Sequence, residues 1–577
     1  MQLAINTVFF LQLTTNSLIS PTTHNLEFTT HNLKVYLLST NITSPLGMTT
    51  EENYLAVRLG RTALAHHDNS RGVPFPFHAA LFSDEQWADI TLPGHTRFES
   101  MVLRSVREAL THTRIDVSGH RTVFILSTTK GDILTPPGDT ARRIARELGV
   151  TTEPIMVCNA CISGAAAQIL ALRLMASGFC DCAIVAGGDV LGSFIISGFH
   201  SLKALSPFAC RPFDAERLGL NLGEAAATMI FHRTLPAGQT TAWQLADGAI
   251  RNDAFHISGP HPQGEGCLRA LMQVIDDKDN LALIGVHGTA TMYNDQMESK
   301  AIERAGLSDV PLSALKGYYG HTLGAAGLLE TIVTARALDD GIILPSLGYL
   351  ERGVSGRVTI SPDTVTTDKR EFIKILSGFG GGNAAIRLTR RAMAMPTVVS
   401  NIPVRKEAEY TLPAMDMETV TEIYRKHIGN YPKFHKMDVL SRVAFIATEL
   451  LLRGNPGCKS VLSEQDNPPA VILFNRTSSV VADRLYMETI ADAANYYPGP
   501  SLFVHTLPNI STGEIALRHA IHGETSFYIL PRCNETLMQS VISASLLDSG
   551  ATSVIAGWID CPDTEHAECS LALYRKE

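Results

Sequence analysis

At 577 residues the chain is too long for one ordinary compact domain, and about two to four structural units are expected. With 45% hydrophobic and 18% charged residues it buries well, which excludes a disordered chain. A net charge of −9 argues against nucleic-acid binding through a basic surface, and ten cysteines scattered through apolar segments exclude a secreted disulfide framework.

Residues 1–33 are expected to form a poorly ordered extension or a misassigned start. Their apolar stretch Val8–Leu13 is short, no Lys or Arg precedes Lys34, and Thr-Thr-His-Asn-Leu occurs at 22–26 and again at 29–33. No apolar run is long enough to cross a membrane, so a cytoplasmic protein is expected.

From Lys34 the pattern becomes regular. Val35–Thr40 reads as a strand, Ser44–Glu52 as a turn leading into a helix start, and Phe98–Thr113 as a helix. Thr122–Ser127 is a short β-branched apolar run and reads as a buried strand. A helix over Asp139–Leu148, a strand over Ile155–Cys158, a small-residue helix over Ser163–Ser177 and a strand over Ala183–Ala186 follow. A second series runs from Thr241 to Leu388, with strands at Ala282–Val286 and Phe372–Leu376. Apolar strands alternating with helices predict an α/β fold, with sheets covered by helices on both faces.

Residues beyond 397 echo the first series. Ser545–Asp560 resembles Arg173–Asp189, and Pro469–Ser478 resembles Arg121–Lys130. Between them, Leu507–Gly513 aligns with Cys158–Gly164, which predicts an internal duplication without a cysteine at the equivalent of Cys161. The expected organisation is an extension over 1–33, two α/β halves over 34–238 and 239–395, and a degenerate copy of the first half over 396–577.

The chemistry-bearing residues are three. Cys161 lies in Val157-Cys-Asn-Ala-Cys-Ile-Ser-Gly164, between a strand and a helix start, where unpaired N–H groups and the helix dipole are expected to lower a thiol pKa. His287 opens His-Gly-Thr-Ala-Thr at 287–291, where Thr289 and Thr291 can orient the ring or a substrate. His321 lies in Lys-Gly-Tyr-Tyr-Gly-His-Thr-Leu-Gly-Ala-Ala-Gly at 316–327, before a helix start too tightly framed for large side chains. Cys158 and Cys161 form a C-x-x-C, but no second pair completes a zinc site, so no metal and no cofactor are expected. A cysteine that can carry an acyl group, with two imidazoles, points to carbon–carbon bond formation.

Further pieces occur in order: Arg211–Gly219, Gly223–Ala227, Asn294–Glu298 and Gly378-Phe-Gly-Gly-Gly-Asn383. With the cysteine and histidine motifs, they make residues 34–390 resemble a β-ketoacyl-[acyl-carrier-protein] synthase of the thiolase superfamily. The resemblance implies a thiolase-like fold of two duplicated α/β halves (layered αβαβα), with a further thiolase-half-like domain at the C-terminus. It makes Cys161 the acyl-accepting nucleophile, and His287 and His321 the groups that promote decarboxylation of a malonyl donor. Lys316 and Glu298 become a charged pair supporting the histidines. The N–H groups of Cys161 and Phe379 become the oxyanion hole, with Phe379 a gate and Gly380, Thr289 and Thr291 in contact with substrate.

The implied partners are an acyl carrier protein and a second synthase-like subunit, in a homodimer or heterodimer. Two features depart from the family pattern: Ala290 replaces a more usual glycine, and the stretch between Lys130 and Val157 is short. The alternatives are a thiolase acting on coenzyme A esters and a non-catalytic partner subunit of the chain-length-factor kind.

Overall fold

The computed structural model describes residues 34–390 apart from 69 and 134, and residues 403–577 apart from 456–461 and 463–467. The extension expected over 1–33 and the boundary at 395/396 lie outside the described residues.

The first series supplies β1 (Tyr36–Thr43), β2 (Thr122–Ser127), β3 (Ile155–Val157), β4 (Cys182–Asp189) and β5 (Ala225–His232). The second supplies β6 (Gln244–Asn252), β7 (Leu283–Gly285), β8 (Pro311–Ser313), β9 (Thr359–Ile360), β10 (Glu371–Ser377) and β11 (Gly382–Thr389). The last supplies β12 (Val404–Met415), β13 (Ala470–Asn475), β14 (Thr525–Ile529), β15 (Ser553–Asp560) and β16 (Ala567–Lys576). All sixteen hydrogen-bond into one sheet, in the order β9-β8-β7-β10-β11-β6-β1-β5-β4-β2-β3-β14-β13-β15-β16-β12. Every residue of β2, β4 and β13 is buried, as strands covered on both faces require. Among the described residues no helix is long and apolar enough to cross a membrane.

The last five strands repeat the first five. In the first series β1 is antiparallel to β5, β5 is antiparallel to β4, and β4, β2 and β3 run parallel. In the last series β12 is antiparallel to β16, β16 is antiparallel to β15, and β15, β13 and β14 run parallel. The two sets join edge to edge where β3 and β14 pair antiparallel, Val157 opposite Tyr528 and Met156 opposite Ile529. Edges that would otherwise present unpaired backbone groups are thereby closed.

Helices that matter to the site are α1 (Ser163–Ala176), α2 (Met292–Arg304), α3 (Ala326–Asp339), α4 (Val480–Glu488), α5 (Ile510–His519) and α6 (Glu535–Ser545). The helix α1 packs against α3 on one side and α6 on the other. The crossing with α3 is backbone against backbone. A Cβ on Gly164 would stand 2.9 Å from Gly324 O, and one on Gly327 would stand 2.5 Å from Ala165 N. Only glycine fits at both places.

A buried ionic cluster ties the last series to the rest. Asp548 receives Nη1 and Nη2 of Arg251 at 2.7 and 2.8 Å and Nη2 of Arg173 at 2.9 Å, while Arg173 also pairs with Glu524. Burial pushes the Asp548 carboxyl up, but the two guanidinium groups outweigh it and hold the pKa below the usual range. Asp548→Ala takes the carboxylate from buried Arg251 and leaves Arg173 with Glu524 alone, and is expected to lower unfolding free energy by roughly 3–5 kcal/mol in denaturant melts. An unchanged melting curve would show the cluster to be energetically idle.

Candidate active site

Beyond β3 the chain turns sharply. Ala160 has φ +48°, in the left-handed region, and Cys161 sits in the short 3₁₀ turn Ala160–Ile162 before α1. The turn is held from the last series: Asn159 Oδ1 accepts the Phe527 N–H at 2.7 Å, and the Cys158 N–H donates to Phe527 O at 3.1 Å. The expected lowering of the Cys161 pKa is not what the structure gives. Burial pushes the thiol up to about 12; Lys316 opposes this and Asp189 adds to it. Desolvation of a thiolate outweighs one helix terminus here, so the resting group is a thiol.

His287 follows β7, and its turn is fixed by Glu298 of α2. That carboxylate accepts the N–H groups of His287 and Gly288 at 2.6 and 2.8 Å, and Asn294 Nδ2 at 2.8 Å. Burial and the neighbouring Asp295 raise Glu298 to about 7. In the same turn Ala290 has φ +62°, which explains why glycine suits this position. Alanine is accommodated at a cost of roughly 1–2 kcal/mol.

His321 is brought in by the turn before α3. The rings of His287 and His321 lie 5.0 Å apart, at 83° to one another. A ring nitrogen of each and the Cys161 sulfur all lie within 4.8 Å of one another.

The hydrogen bonds assign the tautomers. Leu323 N–H donates to His321 Nδ1 at 3.3 Å, so the proton sits on Nε2, which is buried and has no partner among the described residues. Lys316 Nζ, which can only donate, lies 3.3 Å from His287 Nδ1 and 2.7 Å from His287 O. His287 therefore also carries its proton on Nε2. Burial, then the charges of Lys316 and Lys374, hold both rings well below the ordinary histidine range. The site presents a thiol and two neutral N–H donors.

Lys316 does not pair with Glu298. Its partner is Glu330 of α3, at 2.7 Å, and Glu330 also pairs with Lys374 of β10. Burial raises Glu330, but the two ammonium groups win and hold it below the usual carboxylate range. Glu298 braces the backbone while Glu330 holds the lysines, so the expected single pair divides into two devices. Glu330 and Lys374 were missed, although each is a charge in an apolar run (Leu-Leu-Glu-Thr-Ile, Phe-Ile-Lys-Ile-Leu), and that is a readable signal.

A cavity of about 460 Å³ opens onto Cys161, His287 and His321, and Thr289, Thr291 and Phe379 also line it. The two threonine hydroxyls bond each other at 2.9 Å. Phe379 lies alongside Phe199, with ring centroids 6.2 Å apart. Two left-handed glycines follow it, Gly380 at φ +88° and Gly381 at φ +76°. Gly378 packs on the nucleophile turn, where a Cβ would stand 3.2 Å from Cys161 N.

The last series reaches this wall as well, which the sequence did not reveal. Asn509 Nδ2 donates to Phe379 O at 2.8 Å, and Phe503, Thr506 and Leu507 line a second, small cavity behind Cys161. Leu507–Gly513 is thus not the counterpart of the nucleophile turn. That counterpart is the turn between β14 and α6, and it does hold a cysteine. Cys161 stands four residues past the end of β3 and two before α1; Cys533 stands four past the end of β14 and two before α6. The expectation of a missing cysteine is therefore corrected. Cys533 is exposed and lines a separate groove of about 930 Å³ that has no histidine in its lining.

The described residues have the thiolase-like fold, shared with solved ketosynthases. The structure of the PfaC keto synthase–chain length factor superposes with a TM-score of 0.72 at 13% identity, over 94% of this chain and 78% of that one. That of the ishigamide ketosynthase/chain length factor gives 0.56 at 24% identity, over 63% of this chain and all of that one. The family descriptions "Beta-ketoacyl synthase, N-terminal domain" and "Beta-ketoacyl synthase, C-terminal domain" match residues 96–237 and 244–350. Over residues 96–350 the chain is therefore similar to the β-ketoacyl synthase family.

Among its relatives, the tetracenomycin polyketide synthase ketoacyl synthase alpha subunit of Streptomyces glaucescens is 30% identical over 272 residues, 44% of this chain. The 3-oxoacyl-[acyl-carrier-protein] synthase 2 of Rhizobium meliloti (strain 1021) is 34% identical over 256 residues, 41% of this chain. The matches span 64% and 60% of those proteins' own lengths, less than two thirds of each.

Histidine ring NMR checks the electrostatics. His287 and His321 are expected to remain neutral Nε2–H tautomers from pH 8 down through pH 6, about half a unit below the unperturbed histidine value. Lys316→Met removes a cation beside His287, so it should raise that ring's pKa. A ring that titrates near 6.5 in the unmodified protein would contradict the assignment.

Proposed function

We propose that the chain catalyses decarboxylative condensation between an acyl group held on Cys161 and a malonyl thioester, both delivered by an acyl carrier protein. The observation that carries this reading is the buried thiol within 4.8 Å of a ring nitrogen of each of two neutral imidazoles whose protons sit on Nε2.

In the first step the Cys161 sulfur attacks the carrier-bound acyl carbon. A new C–S bond forms at Cys161, the carrier's C–S bond breaks, and the thiol proton leaves with the carrier sulfur. Burial holds this thiol up at about 12, so its proton has to leave as the C–S bond forms. In the second step the malonyl thioester oxygen accepts both Nε2–H bonds. Carbon dioxide departs, and the electron pair of the broken C–C bond becomes an enolate that the two donors stabilise. Donors preorganised in a water-poor site favour that developing charge. The enolate carbon then attacks the Cys161 thioester, the new C–C bond forms, and the cysteine sulfur leaves and regains a proton. The balance is one acyl and one malonyl thioester plus a proton in, and one β-ketoacyl thioester, one free carrier thiol and one carbon dioxide out.

Neutral rings suit this role because they donate without first losing a proton. Lys316 and Lys374, neutralised in part by Glu330, keep them so; Glu298 fixes the turn that aims His287. The N–H groups of Cys161 and Phe379 are assigned to the acyl oxygen, and Phe379 to the gate between the acyl and malonyl sides. Thr289 and Thr291 are assigned to contact with the carrier arm, whereas Gly380, expected to touch substrate, does not line the cavity and instead donates its N–H to Ile257 O. Residues 403–577 act as a partner-like half that completes the acyl side. A wholly non-catalytic role for residues 34–390 is disfavoured by the intact Cys161, His287 and His321. A thiolase would use a second cysteine where this chain has Gly378–Asn383.

Cys161→Ala is expected to abolish β-ketoacyl formation in a protein that remains folded, and His321→Ala to slow carbon dioxide release from a malonyl thioester by about a hundredfold or more. Product mass spectrometry and labelled carbon dioxide release measure the two. Wild-type condensation by folded Cys161→Ala protein would refute the reading.

A further inference from the structure

Behind Cys161, on the side away from the 460 Å³ cavity, the void is only about 20 Å³. That is room for one or two water-sized groups. Its walls are apolar, with Ile195, Phe199, Leu323, Phe503 and Leu507 among them, as an acyl tail requires. Yet Lys130, from just past the end of β2, also lines it, and this lysine is buried, with only 7% of its surface exposed. Its ammonium is held by Asp483 Oδ1 at 2.6 Å and Ser479 Oγ at 3.2 Å, and by Thr506 O. It also lies 5.5 Å over the Phe194 ring. All three acceptors come from the last series, two of them at the start of α4.

An ammonium has three protons, and here three acceptors are in place. None is left over to greet a polar or anionic chain end, so the group is not set up as a receptor for one. A buried ion pair also resists displacement, because parting its members leaves each charge desolvated. A growing apolar tail gains little by pushing against it.

We propose that the Lys130–Asp483 pair is the floor of the acyl pocket and restricts Cys161 to short acyl groups of about two to four carbons, with the last series setting that limit. This rests on the reading of Cys161 as the acyl-carrying residue. It also gives a role to the two excursions: the one after β2 brings Thr129 and Lys130 to the pocket end, and the longer one after β13 brings Ser479, Asp483 and Thr506 to hold the lysine there.

The test is acylation of the full chain by N-acetylcysteamine thioesters of two and eight carbons, read as adduct mass on the Cys161 peptide. The unmodified protein should take the two-carbon group and load the eight-carbon group to about a tenth or less, since each excluded methylene is worth tenfold or more in such a pocket. Lys130→Ala/Asp483→Ala removes both charges together, and the eight- to two-carbon ratio should rise by about tenfold. If that variant does not fold, Lys130→Met/Asp483→Leu keeps the volume, removes the ionic clamp and should move the ratio the same way. Equal loading of both thioesters by the unmodified protein overturns the proposal, as does an unchanged ratio in a folded double variant. Loading of neither thioester on Cys161 is a different failure, since it overturns the acyl-carrying reading on which the proposal rests.

Discussion

The site depends on one close approach. Where α1 meets α3 the backbones touch at Gly164 and Gly327, and no side chain separates them. Cys161 stands at the head of one helix and His321 just before the other, so the crossing carries the nucleophile to the imidazole. A Cβ at either glycine would stand within 3 Å of the facing backbone, so the helices would have to shift apart and carry thiol and ring with them. The electrostatic devices refine a meeting that packing has already made. Glu330, on α3 itself, then draws Lys316 and Lys374 under the histidines.

Most of this was legible locally. The glycine-framed motifs announce turns and close helix packing, and the apolar runs Thr122–Ser127, Ser163–Ser177 and Phe372–Leu376 became the elements their patterns suggested, within one or two residues. Long-range pairing was less readable. Lys316 meets Glu330 because a turn and the first residues of a helix bring them round, whereas Glu298 is spent on the backbone of His287 and Gly288. Chain order does not distinguish two buried carboxylates that compete for one lysine. The direction of the Cys161 shift was likewise misread, because a helix-terminus argument counts local dipoles and omits the desolvation of a thiol that is 8% exposed.

The duplication carries a similar lesson. Matching Ser511-Thr-Gly513 to Ile-Ser-Gly at 162–164 was chemically plausible but set the register wrong, because the excursions between the corresponding strands differ in length. Strand ends and helix starts give the right correspondence, and it places Cys533 opposite Cys161. The two copies then diverge by environment. The buried Gly164, Ala167, Gln168 and Ala171 of α1 correspond, counted from each helix start, to Thr536, Gln539, Ser540 and Ser543 of α6, which are exposed or half-buried. One helix is composed to lie between protein layers and the other to meet water, so the same topology serves opposite solvent demands.

The pairing of β3 with β14 has a further consequence. Two halves meeting edge to edge as separate molecules would first have to surrender translational and rotational freedom, a cost of several kcal/mol at the least. Here both belong to one polypeptide, so docking is an intramolecular event governed by an effective concentration that dilution does not change. The wall behind Cys161 is therefore assembled at any protein concentration, and the stoichiometry of nucleophile to pocket floor is fixed at one to one by the peptide chain itself.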